Sequence, residues 1–142
     1  MILPDLNVLL YAYNPNATQH PGALEWWESV VNGDELIGFP HEVLFGFVRI
    51  STNPNLGEAA VSLSAAAEVV GSWIGLANSR IFLPGPDHFS QVMRLMKESH
   101  SVGRVLSDAV LAAYAITNRA TLCSTDSDFA RFNGLDWRNP LS

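Results

Sequence analysis

Five acidic residues stand where chemistry can be done: Asp5, Glu42, Asp108, Asp126 and Asp128. Each closes a short apolar run or opens a helical one. Asp5 ends "MILP", Glu42 falls in the first turn of "PHEVLFGFVRISTN", Asp108 opens "LSDAVLAAYAITNRA", and Asp126 and Asp128 follow "TLCST". Carboxylates packed together repel, and each raises the pKa of its neighbours. A cleft lined with four or five of them is best satisfied by a hard divalent cation, which takes oxygen ligands. Singly, each acid also has a structural explanation. Asp108 within "SDAVL" reads as a helix N-cap, and Glu42 sits where a helix dipole favours a carboxylate. Asp5-Leu6-Asn7 fits a strand-ending turn with a capping residue, and Asp126 with Asp128 fits an Asx-type turn plus a cap. Capping and metal binding are compatible, because helix N-termini favour anions.

Other site chemistries find little support. His20, His41, His88 and His100 show no paired spacing for a metal, and His41 reads as a surface or capping residue. No glycine-rich phosphate loop and no G-x-S-x-G elbow occurs. Cys123 is the only cysteine, which excludes a disulfide framework and a cysteine metal cage. Within "TLCST" it reads as a small core residue.

The elements that must position the acids alternate along the chain. Strands are expected at 1–4, 35–39, 80–84, 121–125 and 135–139. Helices are expected at 17–33, closed by Gly33, at 40–53 with Pro40 in the first helical position, and at 87–100 and 106–120. The alanine-rich stretch 57–78 reads as one long helix, and "DSDFARF" as a short turn anchored by Phe129 and Phe132. Short apolar strands alternating with helices predict an α/β fold with a mainly parallel sheet covered on both faces. In such a sheet the carboxyl ends of the strands share one edge, and ligands bind where strand order reverses. The five acids, scattered over more than a hundred residues, are therefore expected to converge there.

Composition bounds the partners. The 142 residues read as one domain, with 48% apolar and 15% charged side chains, so disorder is not expected. The formal charge is −6, so bulk attraction cannot bring a nucleic acid to the protein. Cations or clustered arginines must neutralise any phosphate backbone. Arg49, Arg94, Lys97, Arg104 and Arg131 are available for this. No apolar run reaches membrane-spanning length, and no basic region precedes a long apolar stretch, so a cytoplasmic, soluble protein is expected.

The segments "PDLNVLLYAY", "HEVLFGFVRISTNP", "LSDAVLAAYA" and "TLCSTDSDF", in that order, resemble a PIN domain, most closely the VapC-type ribonuclease toxins of bacterial toxin–antitoxin pairs. The resemblance implies a PIN-like three-layer sandwich whose five-stranded sheet runs 3-2-1-4-5, over residues 1–142. It implies cleavage of RNA with Mg²⁺ or Mn²⁺, a cognate antitoxin and a homodimer. Carried over by motif, the catalytic acids are Asp5, Glu42, Asp108 and Asp126, and the metal is held by Asp5, Asp108, Asp126 and Asp128. Asn7 stands where the family often has serine or threonine, and Thr125 precedes the fourth acid. These two and Arg104 are expected to position substrate. The residues leave two other classes open: a PIN-like nuclease acting on DNA or structured nucleic acid, and a non-catalytic metal-binding interaction module.

Self-association has its own signal. Residues 59–77 carry more apolar surface than one helix of a small sheet protein normally buries, which marks an interface with a second copy or with the antitoxin. Trp26, Trp27 and Trp73 sit at helical spacing among apolar residues, as core or subunit contacts rather than a base-stacking platform.

Overall fold

A computed structural model describes all 142 residues. Five strands, β1 (Ile2–Pro4), β2 (Ile37–Pro40), β3 (Ser79–Phe82), β4 (Thr121–Cys123) and β5 (Trp137–Arg138), form one sheet in the order β3-β2-β1-β4-β5. Every strand pair is parallel. Six α-helices flank the sheet: α1 (Leu6–Tyr13), α2 (His20–Val31), α3 (His41–Ser51), α4 (Leu63–Ile74), α5 (His88–Glu98) and α6 (Val105–Asn118). Two 3-10 segments, Pro54–Ala59 and Ser127–Arg131, complete the chain. The expected α/β sandwich and strand order are both present. β1 and β2 read as unbroken buried runs, as strands covered on both faces must.

Pro4 sits inside the central strand, where proline is unusual. Ile2 N–H donates to Leu36 O and Asp5 N–H to Cys123 O, both at 2.9 Å. Alternate residues thus face alternate neighbours, and the Pro4 nitrogen falls on the β2 side. Without an N–H it cannot extend that ladder. The β1–β2 register accordingly holds only Ile2 against Ile37, whereas Ile2, Leu3 and Pro4 all align with β4.

Three local expectations are corrected. The stretch 57–78 is not one helix: a 3-10 segment ends at Ala59, and α4 starts only at Leu63. Gly57, with φ 61°, kinks the 3-10 segment itself. The break between the two helices falls at Ala60 and Ser62, both extended, and the Ser62 hydroxyl accepts the Ala65 N–H to start the second helix. Pro40 is not the first helical residue but ends β2 and occupies the cap of α3 in extended conformation. Asp108 is not the N-cap of α6; that position is Arg104, and Asp108 lies in the first turn. Of the two places open to Trp73, core or subunit contact, the structure has the core. The side chain is 1% exposed, and its Nε1 donates to the Tyr13 hydroxyl at 3.0 Å. What α4 leaves exposed is Leu63 and Ile74.

Two glycines set close approaches. A Cβ on Gly38 in β2 would lie 1.9 Å from the Phe82 ring of β3, so the ring covers the sheet only because the side chain is missing. A Cβ on Gly46 in α3 would meet Leu6 Cδ2 at 2.7 Å. This lets α3, which carries Glu42, pack closely against the start of α1, which follows Asp5.

Candidate active site

Asp5 leaves the end of β1 and caps α1. Its Oδ1 accepts the Leu6 N–H at 2.7 Å, and its Oδ2 accepts the Ser124 hydroxyl at 2.7 Å. The carboxyl group is buried, and burial is the main force pushing its pKa up to about 6. The bonds from Ser124 and Leu6 pull it down, while the charges of Asp108 and Asp126 push it further up. Asp108, half-buried in the first turn of α6, is also raised above the ordinary carboxylate range. Burial is again the largest cause, followed by repulsion from Asp126; Arg131 pulls it down and Asp128 pushes it up. Three acids from β1, α6 and the turn after β4 therefore feel one another's charge.

Asp126 and Asp128 share the 3-10 segment after β4. Asp126 Oδ1 accepts the Asp128 N–H at 2.9 Å, forming the Asx-type cap expected from sequence. Phe129 and Phe132 are buried and hold this turn to the core. Asp128 itself is exposed, and its Oδ2 lies 3.6 Å from Arg131 Nη2. Glu42 stands in the first turn of α3, exposed, on the wall of a cleft of about 580 Å³ that Asp5 and Asp108 also line. It leans toward α6: burial and the Glu42 carboxylate together push the Tyr114 hydroxyl up to about 12. Glu42 is not among the charges acting on Asp5 or Asp108. Asp5, Asp108 and Asp126 are thus brought together, with Asp128 at their edge and Glu42 across the cleft.

Of the expected positioning residues, Asn7 is near the acids. Its Nδ2 donates to Ser124 Oγ at 3.4 Å, and its Oδ1 is buried with no hydrogen-bond partner. Thr125 is half-buried and makes no side-chain hydrogen bond, and Arg104 is exposed at the α6 cap, outside the lining of the cleft. His41 is a surface residue, as expected, stacked on Phe45 with ring centres 5.8 Å apart.

The residue that sequence reasoning passed over is Ser124. It is fully buried, and one hydroxyl serves three neighbours. Besides donating to Asp5, it accepts the Asp126 N–H at 3.0 Å and the Asn7 amide. Alternation could not single it out, since Leu122 and Cys123 on opposite faces are both buried and β4 ends at Cys123, before either hydroxyl. A buried hydroxyl needs partners, and the only acids nearby are those of the cleft.

The donor set suits a hard cation. It offers carboxylate oxygens that repel one another, plus an orphaned amide oxygen beside them. As they stand, no three acidic, histidine or cysteine side chains are drawn close enough to enclose an ion. The site lies between β1 and β4, where strand order reverses in a sheet of this order.

Comparison with known proteins agrees with this picture. The PIN domain family matches residues 2–135. Ribonuclease VapC33 of Mycobacterium tuberculosis is 38% identical over 141 residues, covering 99% of both chains. Among solved structures, VapBC2 from Rickettsia felis bound to a DNA fragment from its promoter superposes with a TM-score of 0.70 at 18% identity, over 98% of both chains. Mycobacterium tuberculosis VapC20, a Sarcin-Ricin loop cleaving toxin, gives 0.69 at 18% identity, over 96% of this chain and 99% of its own. At these identities the structures speak for the fold alone. The sequence matches go further: this chain belongs to the PIN-domain family, among the VapC ribonucleases.

Proposed function

We propose that this protein is a metal-dependent endoribonuclease, the toxin of a toxin–antitoxin pair. The observation that carries the reading is the convergence of Asp5, Asp108 and Asp126 from three separate elements at the switch point of the sheet, beside the unpaired Asn7 oxygen. Full-length similarity to a ribonuclease supports RNA as the substrate. Asp5, Asp108 and Asp126 would hold Mg²⁺ or Mn²⁺, with Asp128 beside them. Such an ion supplies an acidified water and polarises the scissile phosphate. Ser124 keeps Asp5 and Asp126 in fixed relation through its shared hydroxyl. Glu42, exposed on the facing wall, is the carboxylate left to accept a proton from the attacking water. In-line attack leaves a 5′-phosphate and a 3′-hydroxyl.

The partners belong to the same reading. A VapBC complex among the structural neighbours supports a cognate antitoxin, and the exposed Leu63 and Ile74 of α4 supply apolar surface for that contact or for a homodimer. No helix is long and apolar enough to cross a membrane.

RNA cleavage in Mg²⁺ or Mn²⁺ should stop in excess chelator. Asp108→Asn and Asp126→Asn should each lower the rate by about 10²-fold or more, as loss of a catalytic carboxylate does, with the melting temperature kept. Asp128→Asn should be milder. Full activity in chelator, or in Asp126→Asn, would sink the reading.

A further inference from the structure

A polyanion must enter a cleft whose acids already repel one another, on a chain of net charge −6. An ion neutralises the scissile phosphate only; the phosphates on either side need cations of the protein. Two guanidinium groups flank the approach to the acids: Arg131 on the turn after β4 and Arg49 on α3 after β2, to either side of β1. We propose that Arg131 and Arg49 bind the phosphates flanking the scissile one, so that single-stranded RNA crosses the cleft from the Ser127–Arg131 turn to the last turn of α3. The proposal rests on the nuclease reading above and assigns the substrate track within it.

Arg131 is already aimed. Its Nε donates to the Asp128 carbonyl oxygen at 3.0 Å, and its Nη1 donates to Ser101 Oγ at 3.4 Å. The group is thereby held from two sides. Its only acid partner is the exposed Asp128 carboxylate, at 3.6 Å. An exposed ion pair of that length is weak, so the outer Nη2 face can exchange it for a phosphate. Arg131 is also the charge that pulls the Asp108 carboxyl down, which puts it next to the acids rather than merely on the same surface.

Arg49 stands opposite. It lies seven residues after Glu42, about two helical turns and on the same face of α3, and lines the cleft together with Asp5, Glu42 and Asp108. Its guanidinium is exposed and makes no hydrogen bond and no ion pair. A structural arginine normally has such partners, whereas a phosphate-binding one waits for them; the planar fork suits phosphate oxygens. Three of the other cations are placed differently. Arg94 is paired with Glu98 at 3.2 Å, and Arg80 donates to the carbonyl oxygens of Ala77 and Ser79 at the amino end of β3. Arg119 follows α6 on that same far edge of the sheet.

The test measures binding apart from cleavage. A fluorescently labelled, unstructured RNA oligonucleotide is titrated with the full chain in chelator across a series of salt concentrations, and cleavage is then followed with Mn²⁺. Arg131→Gln and Arg49→Gln should each weaken binding by about tenfold, the loss of one charged hydrogen-bonding contact. Each should lower the slope of log affinity against log salt by about 0.7. KM should rise while kcat stays within about threefold. Arg131→Lys should keep the slope, because the charge remains. Arg80→Gln and Arg119→Gln should change neither affinity nor slope. Unchanged slopes in folded Arg131→Gln and Arg49→Gln overturn the proposal, and so do equal losses in the Arg80 and Arg119 variants. If the wild type binds RNA but cleaves none with any divalent ion, the nuclease reading fails, and the slopes still decide whether these two arginines hold the strand.

Discussion

The aromatic cluster beneath the sheet and the acidic cleft at its edge are built from adjoining residues, and they satisfy opposite requirements. Phe39 in β2 stacks on Trp73 with centres 5.7 Å apart and planes 5° from parallel, and Phe47 and Trp27 approach the same indole edge-on at 4.7 and 5.9 Å. Such rings gain dispersion and quadrupole energy together with burial. One residue beyond Phe39 the strand ends, and Glu42 opens onto the cleft. There burial works against the side chains: it raises Asp5 and Asp108, and their neighbours' charges add to it. Both regions also leave one polar atom unpaired. Trp27 Nε1 is an orphaned donor enclosed by rings, whereas Asn7 Oδ1 is an orphaned acceptor beside repelling carboxylates. The same defect is a fault to be tolerated in the first setting and a ligand in waiting in the second.

The comparison predicts opposite signs for removing a buried ring and for removing a buried charge. Trp73→Ala should be the most damaging to the fold, costing about 3–5 kcal/mol, since the hole lies among rings that cannot collapse together. Denaturant unfolding measures it, and a loss below about 1 kcal/mol would show that the cluster is not the anchor of this end of the core.

Asp5→Asn should move the other way. The folded carboxyl titrates at about 6 against an ordinary value of 3.8, so the native state binds the proton more tightly than the unfolded chain. Wild-type stability without divalent ions should therefore be full below about pH 4 and fall as pH rises toward 6. Above that it should stay lower, by up to about 3 kcal/mol. The Asn variant should lack this decline and melt higher than wild type at pH 7, while cleaving poorly. A wild-type melting temperature flat from pH 4 to 7 would break the contrast between the regions.

Ser124→Ala removes the hydroxyl that Asp5 and Asp126 share. A destabilisation of about 1–3 kcal/mol is expected from the unpaired buried groups, together with weaker Mn²⁺ binding by calorimetry. Unaltered Mn²⁺ affinity would reduce Ser124 to a packing residue. The smallest effect belongs to Trp27→Phe. It deletes the orphaned donor, and its cost should stay within about 1.5 kcal/mol, as for a conservative core exchange. A larger loss would mean that the indole nitrogen has a partner in solution.

The places where sequence and structure part are local. The 57–78 stretch reads as one helix because its many alanines favour one throughout, yet extended Ala60 and the Ser62 cap divide it. Propensity spreads its signal over many residues, whereas a break needs only one or two residues turned extended. Trp73 carried the same apolar signal as the exposed Leu63 and Ile74; which side of α4 faces the sheet was not in the composition. The acids were legible because each ends an element, and elements of a parallel sheet end at a shared edge. Ser124 was not, since "TLCST" offers two adjacent hydroxyls, and only the approach of Asp5, Asn7 and the turn after β4 decides which one is enclosed.

By itself the sequence determined the alternation of strands and helices, the strand order through its family resemblance, and five acids at element ends, because period and position are properties of a one-dimensional chain. Tertiary structure alone decided that Glu42 faces Tyr114 rather than Asp5, that Pro4 confines the β1–β2 ladder to Ile2, and that one serine holds two aspartates. Those facts depend on distances between residues as many as 119 positions apart, and on burial. A charge or hydrogen bond acts over a few ångströms of space, whatever its separation along the chain.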